Sequence, residues 1–169
     1  MTAEPVIRDA TAEDFDAITD LTLDVYVGGG FVPPADPYAA RLADIASRAD
    51  ESRVVVAEVN GHVVGSIAVA EAGTPYAEIA EPGELEFRML AVATAARGLG
   101  VGTALVRWVI DLAAAQGCSA VTISTSASMV DARRIYDRLG FVHVAERDWS
   151  PVRGVDLTVL SRPLPRSAQ

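Results

Sequence analysis

A glycine-rich segment at residues 97–103, RGLGVGT, constrains the fold of this chain more than any other feature. Apolar and charged residues alternate over Glu84–Val92, which predicts a strand before it, and an amphipathic pattern to about Gln116 predicts a long helix after it, closed by Gly117. The first turn of a helix has unpaired N–H groups, and glycines let an anion approach the backbone closely. A pyrophosphate is therefore the expected ligand, unless the turn serves only to pack a helix on a sheet.

Two familiar phosphate-binding loops do not fit this segment. A P-loop places a lysine before its Ser or Thr, whereas Gly102 precedes Thr103 here. A dinucleotide-binding fold needs an acidic residue about 20 residues further on, at the end of the next strand. That region reads ISTS at residues 123–126, without a carboxylate. The sequence therefore disfavours both of these nucleotide-binding folds.

The remaining sequence predicts a mixed α/β fold with the element order β α α β β β α β α β β. A hairpin is expected at Asn60-Gly61, the strongest short turn signal in the chain. The other predicted strands lie at residues 6–8, 53–59, 62–70, 120–124, 141–145 and 155–160, and the other predicted helices at residues 12–27, 37–48 and 129–139. The segments 28–37 and 72–83 are expected to be loops, and the tail 163–169 is expected to be frayed.

Bulk composition narrows the class of protein. The 169 residues fit one domain, and no apolar run approaches the roughly 18 to 20 residues of a membrane span. Cys118 is the single cysteine, so no intrachain disulfide forms and a reducing, cytoplasmic setting is expected. A net charge of −9 without any lysine argues against a nucleic-acid partner. No metal site is expected.

Two motifs resemble the GNAT N-acetyltransferase superfamily. Residues 97–103 are similar to its Q/R-x-x-G-x-G/A motif, with Arg97, Gly100 and Gly102 at the fixed positions. Residues 132–141, ARRIYDRLGF, are similar to its helix that carries a tyrosine before a terminal Gly-Phe. The resemblance implies one GNAT-like acyltransferase domain over residues 1–169 with an acetyl-CoA-binding core at about 84–141. It also implies a mixed, mostly antiparallel central sheet of about seven strands, flanked by about four helices.

The same resemblance implies acetyl-CoA as cosubstrate and indicates where it binds. The backbone of Leu90, Ala91 and Val92 would hold the pantetheine arm like an added strand. The amides that would cradle the pyrophosphate belong to Arg97, Gly98, Leu99, Gly100, Val101, Gly102 and Thr103. Met129 replaces an asparagine that is common in the family, so Asp131 or Ser128 would take its place. Arg133, Arg134 and Arg107 are further candidates for the adenosine phosphates, with a solvated helix face as the alternative for each.

The chemistry implied is direct attack of an amine, of a small molecule or a peptide, on the thioester. Tyr136 matches the family's general acid for the CoA sulfur, although it could instead only pack its helix on the sheet. Glu86 is the first candidate for the base and Glu84 the second, since both lie on one face of their strand. Either glutamate could instead be a solvent-facing partner of Arg88. A backbone N–H near Leu90 or Ala91 would stabilise the oxyanion.

The acceptor site is the least defined part of the sequence. The loop 28–38, the segment 72–83 and the strand ends near Trp149 are expected to form it. Aromatic residues available to line it are Tyr26, Phe31, Tyr38, Tyr76 and Trp149. The acidic composition hints at a cationic amine. Two alternatives stay open, namely a non-catalytic acyl-CoA-binding or sensor domain and the transfer of another acyl group, such as succinyl. Homodimers are common in the family, so a homodimer is one assembly that the resemblance allows.

Overall fold

The computed structural model describes residues 4–165 of the chain, which form eight strands and five α-helices. The strands are β1 (Val6–Asp9), β2 (Arg53–Val59), β3 (His62–Glu71), β4 (Glu84–Val92), β5 (Ala120–Thr125), β6 (Val142–His143), β7 (Trp149–Val152) and β8 (Val155–Pro163). The helices are α1 (Phe15–Tyr26), α2 (Pro37–Ala43), α3 (Ile45–Glu51), α4 (Val101–Ala115) and α5 (Val130–Arg138). None of the helices in the described range combines the length and apolarity needed to cross a bilayer.

One mixed sheet organises the molecule. Its strand order is β1-β2-β3-β4-β5-β8-β6, with β7 paired to β8 outside this path. Every pairing is antiparallel except that of β4 with β5. The predicted α/β class with a mixed, mostly antiparallel sheet is confirmed, and the described residues contain one strand and one helix more than the sequence predicts.

The parallel strands β4 and β5 separate partway along their length. They pair only over Glu84–Glu86 and Ala120–Thr122, while β5 continues on β8 as far as Thr125. Near the same point the register between β3 and β4 shifts, and Met89 adopts a left-handed conformation with a φ of 59°. Such a bulge bends a strand and increases its twist. The second half of β4 therefore borders an opening in the sheet.

Helices cover both faces of the sheet because its central strands are apolar on both. Val55 and Ala57 of β2 belong to the core formed with α4, whereas Val54 and Val56 pack with Ile18 of α1 and Ile45 of α3. Residues of alternating parity point to opposite faces of a strand, so β2 contributes to both layers. The result is three layers with α4 and α1 on opposite sides.

Close packing fixes where α4 begins relative to β4. Val101, Leu105 and Val109 recur every four residues on its buried face. Gly65 of β3 lies against them, since a Cβ at this position would come within 2.8 Å of Val101 Cγ1. The first turn of α4 is thereby held beside the opening between β4 and β5.

Four local predictions are wrong. The helix expected at residues 37–48 breaks at Asp44, whose carboxylate accepts the backbone N–H of Ser47 and caps α3. The strand expected at 141–145 shortens to Val142–His143, and β7 was not predicted. The tail is not frayed at its start, because β8 reaches Pro163 and the buried Leu164 donates its N–H to the Ser119 carbonyl at 2.8 Å. The rest of that prediction, residues 166–169, lies outside the described residues.

Candidate active site

A groove of about 990 Å³ opens between the end of β4, the start of α4, the start of α5 and the end of α1. Most of the residues predicted to bind the cosubstrate line it, namely Leu90, Val92, Arg97, Gly98, Gly100, Val101, Gly102, Thr103 and Asp131. Ala91, Leu99 and Arg133 are not among its lining residues. The Ala91 side chain is buried on the α1 side of the sheet, Leu99 points to solvent, and Arg133 pairs with Asp137 at 3.0 Å.

The glycine turn leaves open space over the start of α4. Gly98 and Gly100 have φ values of 82° and 79°, and a Cβ added to either would meet no atom within 4 Å. Both glycines are therefore required by the backbone conformation and not by crowding. Gly102 differs, because its Cβ would lie 2.7 Å from Ile135 Cδ1 and would push α5 away from α4. The unpaired N–H groups of the first turn can thus be reached by an anion.

The other wall of the groove was only partly predicted. Val25, Gly29 and Phe31 line it from the end of α1 and the loop that follows. The α5 side contributes Ser128, Met129, Val130, Asp131, Ala132, Arg134, Ile135, Asp137 and Arg138. This set omits only Arg133 and Tyr136 from residues 128–138, so the groove runs along this segment and not along one helix face. The family motif pointed to this segment, whereas the approach of α1 depends on tertiary packing. Arg107, a further candidate for the phosphates, is exposed and is not a lining residue.

Tyr136 lies in the core beside this groove with 3% of its surface exposed. Its ring packs on Phe87 and Phe141 at centroid distances of 5.6 and 5.7 Å. In the part of the chain that the structure describes, Thr122 Oγ1 is the one fully enclosed side-chain polar atom without a hydrogen-bond partner. The Tyr136 hydroxyl makes no hydrogen bond to the described residues either, and Tyr136 is not a lining residue of the groove, although its neighbours Ile135 and Asp137 are. Burial raises the pKa of this phenol, which keeps it protonated.

Glu86 is completely buried and binds the backbone of the preceding loop. Its Oε1 accepts N–H groups from Glu78 at 3.0 Å, Ile79 at 2.8 Å and Ala80 at 2.9 Å. Its Oε2 accepts only the Glu78 N–H, at 3.2 Å. The alternative that Glu86 is a solvent-facing partner of Arg88 is wrong, because the Arg88 guanidinium binds Glu78 at 2.9 Å.

Glu84 forms a salt bridge with Arg147 and also binds the loop before β4. Both carboxylate oxygens contact Arg147, at 2.9 and 3.1 Å, and Oε1 also accepts the Glu81 N–H. Arg147 in turn donates to the Ile79 carbonyl at 2.6 Å. Glu84 is therefore no partner of Arg88 either. Together the two glutamates hold residues 78–81 against β4.

The aromatic residues predicted for the acceptor site separate in the structure. The Tyr26 hydroxyl donates to the Leu90 carbonyl at 3.0 Å, and Phe31 lines the groove. Trp149 Nε1 donates to Ser124 Oγ at 2.7 Å. Tyr38 and Tyr76 line a second pocket of about 140 Å³. Its other lining residues are Arg41, Asp44, Ser47, Arg48, Glu51, Arg88 and Met89.

The groove and the second pocket meet along β4. Leu90 lines the groove, and its neighbour Met89 lines the pocket. The Tyr38 hydroxyl lies 3.9 Å from Met89 Sδ, while Tyr26 binds the Leu90 carbonyl. The bulge in β4 therefore separates two spaces that open on the same short piece of strand. One could hold a long anionic ligand and the other a small one.

Comparisons with known proteins agree with this arrangement. The family model described as acetyltransferase (GNAT) family matches residues 15–141. N-acetylaspartate synthetase from Homo sapiens is 34% identical over 107 residues, which cover 63% of this chain and 33% of that protein. The chain thus spans about a third of the length of this relative.

Solved structures with the same fold cover nearly the whole chain. A GCN5-related N-acetyltransferase from Kribbella flavida is 30% identical, with a TM-score of 0.69, over 95% of this chain and 98% of that one. A putative acetyltransferase from Salmonella typhimurium, solved with its cofactor acetyl-CoA, has a TM-score of 0.68 at 24% identity. That similarity covers 99% of this chain and 98% of the Salmonella chain.

Proposed function

Because this chain belongs to the acetyltransferase (GNAT) family, we propose that it transfers an acetyl group from acetyl-CoA to the primary amine of a small molecule or peptide. The observation that carries the proposal is the groove, in which the open glycine turn and the free side of β4 face one space. Members of the family use acetyl-CoA as cosubstrate. The proposal treats residues 1–169 as one domain built around that groove.

Acetyl-CoA would bind mainly through hydrogen bonds from its pyrophosphate and its pantetheine arm to the protein main chain. The pyrophosphate would accept N–H groups from residues 97–103, with the helix dipole of α4 behind them. Arg97, Arg134 and Arg138 line the groove and would offset the remaining phosphate charge. The pantetheine amides would pair with the main chain of residues 90–92, where β4 has left β5. Phe31 and Val25 would cover the arm from the α1 side.

In the proposed reaction, the amine attacks the thioester of the bound acetyl-CoA. The amine nitrogen attacks the thioester carbonyl carbon, a C–N bond forms and the C–S bond breaks. The leaving sulfur takes the proton of the Tyr136 hydroxyl, which is protonated and has no other partner among the described residues. A main-chain N–H near Leu90 or Ala91 would stabilise the oxyanion.

The amine proton needs a base, and we keep Glu86 as the first candidate. Oε1 already accepts three N–H groups, so the proton would reach Oε2, directly or through a water. Glu84 is the weaker candidate because Arg147 occupies both of its oxygens. Glu86 is completely buried and neither glutamate lines the groove, so the order of preference rests on the occupancy of their oxygens alone.

A thiol-release assay tests the proposed function. The full chain would be mixed with acetyl-CoA and a panel of amines that includes peptides, polyamines and L-aspartate, the last because N-acetylaspartate synthetase is a relative. We expect amine-dependent release of CoA and a matching amount of acetylated amine by mass spectrometry. Tight binding of acetyl-CoA without turnover on the whole panel would favour the sensor alternative. Faster turnover with succinyl-CoA would identify a different acyl donor.

A further inference from the structure

Arg48 is a buried guanidinium without a carboxylate partner. The residue lies in α3 with 4% of its surface exposed, and its Nη2 donates to the Leu42 carbonyl at 2.7 Å. No Asp or Glu of the described range lies within ion-pair distance of it. Burying a charge is unfavourable unless the charge is paired. An unpaired buried arginine therefore requires a reason.

The free part of this guanidinium faces the second pocket. Arg48 is a lining residue, and its Nε and Nη1 make no hydrogen bond to the described residues. Neither atom is fully enclosed, since Thr122 Oγ1 is the one enclosed polar atom without a partner in residues 4–165. At least part of Arg48 reaches the pocket, because the residue is one of its lining residues. Both donors therefore remain available, and either can form a charge-assisted hydrogen bond to a carboxylate.

The other charges around the pocket form no ion pair with Arg48, although Asp44 lies close enough to be stabilised by its charge. Arg88 is already paired with Glu78 and stacks on Tyr76, with its Cζ 4.2 Å from the ring centroid. Asp44 is exposed and accepts the N–H and hydroxyl of Ser47. Glu51 and Arg41 are exposed at the rim, where solvent and salt screen their charges. The buried charge of the pocket is consequently positive, against the net charge of −9 of the chain.

The pocket has the size and the place of a subsite for a small acceptor. Its volume of about 140 Å³ would hold roughly five waters at about 30 Å³ each. Met89 lines it and is adjacent to Leu90, beside which the thioester would lie. The pocket and the groove therefore border consecutive residues of β4, which is the placement that a subsite for the acceptor requires.

We propose that this pocket binds the carboxylate of the acceptor, with Arg48 as the residue that determines specificity. The acceptor is then an amine that carries a carboxylate, as an amino acid does, and not the purely cationic amine that the composition suggests. Tyr38 and Tyr76 form the walls that exclude larger groups. The inference rests on the proposed acetyl transfer where it is tested by reaction rates. Its test by binding of the product does not depend on transfer.

The test compares matched acceptors on wild-type enzyme and on variants. Each amino acid of a panel would be paired with its own carboxamide, which keeps the amine and removes the negative charge. We expect wild-type kcat/KM to favour the acid over the amide by roughly tenfold to a hundredfold, as a charge-assisted hydrogen bond does. Arg48→Met should remove most of that preference, because KM should rise much more for the acids than for the amides. Arg48→Lys should retain part of the preference, because lysine keeps the positive charge but lacks the planar guanidinium group.

Two controls separate local from general effects. Arg153→Met removes an exposed arginine outside the pocket and should leave the preference intact. Calorimetric binding of N-acetyl amino acids, the reaction products, tests the pocket without turnover, and Arg48→Met should weaken it roughly tenfold. If Arg48→Met fails to fold, the ratio of acid to amide rates in the wild type tests the proposal by itself. Equal rates would then contradict it.

The outcomes distinguish the two proposals. Product binding that depends on Arg48, with no turnover on any amine, would overturn acetyl transfer and keep the carboxylate site. Turnover with equal rates for acids and amides, in wild type and Arg48→Met alike, would overturn the carboxylate site and keep acetyl transfer.

Discussion

The Tyr136 hydroxyl is the single group whose removal separates chemistry from binding. Tyr136→Phe keeps the ring between Phe87 and Phe141, so thermal stability and acetyl-CoA affinity should stay close to wild type. The loss of the proton donor should lower kcat by about a hundredfold or more. Thiol release measures kcat, and titration calorimetry measures affinity. An unchanged kcat would leave Tyr136 with a packing role only.

Gly100 offers a second test at a single position, and Gly117 is its matched control. Both have positive φ values, 79° and 75°, and open space where a Cβ would stand, at opposite ends of α4. Glutamate at either position should cost about 1 to 2 kcal/mol of folding free energy. Gly100→Glu alone should also weaken acetyl-CoA binding by more than about tenfold, because its carboxylate would repel the pyrophosphate. Equal affinities of the two variants in calorimetry would place the cosubstrate elsewhere.

Individual site residues were predictable where a local motif carries them. Arg97, Gly100 and Gly102 were assigned from their match to the family's motif, and all three line the groove because one turn and one helix end determine their placement. Arg48 was not found, since a buried arginine on a short helix looks like any other arginine until the neighbours are known. Its distinguishing property is the lack of a carboxylate partner in the described chain, which only tertiary structure reveals.

At the scale of elements, β4 and the loop before it act as one unit. Glu86 accepts the N–H groups of residues 78–80, so Glu86→Ala would leave several buried donors unsatisfied and should cost about 3 kcal/mol. Glu86→Gln keeps an acceptor oxygen and should remain closer to wild type in urea denaturation. If Glu86 also takes the amine proton, the Gln variant should lose about a hundredfold in kcat despite this stability. Full activity of Glu86→Gln would restrict Glu86 to holding the loop.

The elements themselves were predicted well where they are long and periodic. The strands β2 to β4 and the helices α1, α4 and α5 lie close to their predicted ranges. Short elements were not predicted well, because they form only where neighbouring parts of the chain cap them or pair with them. Asp44 splits the second helix by capping α3. Strand β7 contains Pro151 and pairs irregularly with β8. A two-residue strand such as β6 has no periodicity to detect.

For the whole molecule, the fold class was predictable from the order of the elements. Its stability in acid depends in part on one partly buried network of charges. Asp14 binds Arg8 at 2.8 Å, and Arg8 also binds Glu58. The hydrogen bonds from Arg8, followed by the N–H of Thr11, lower the pKa of Asp14 to about 2. A lowered native pKa stabilises the fold above the unfolded value near 4 and loses that contribution as the pH falls toward 2.

We therefore expect stability to decline between about pH 4 and pH 2, with Asp14 accounting for roughly 1 to 2 kcal/mol of the loss, since Arg8 is partly exposed. Urea midpoints measured across this range would show it. Asp14→Asn should be less stable at pH 7 and should flatten the decline. An identical pH slope in that variant would assign the acid sensitivity to other carboxylates.

The bulge at Met89 has a consequence for the order of events in turnover. The groove and the second pocket share no lining residue in the described chain, so the proposed assignments would give each substrate a space of its own. Neither molecule then has to leave before the other arrives, and both can be present when the bond forms. Double-reciprocal plots at several fixed amine concentrations should intersect and not run parallel, and free CoA should compete with acetyl-CoA but not with the amine. Parallel lines would indicate a ping-pong mechanism, in which the acetyl group is first transferred to the protein.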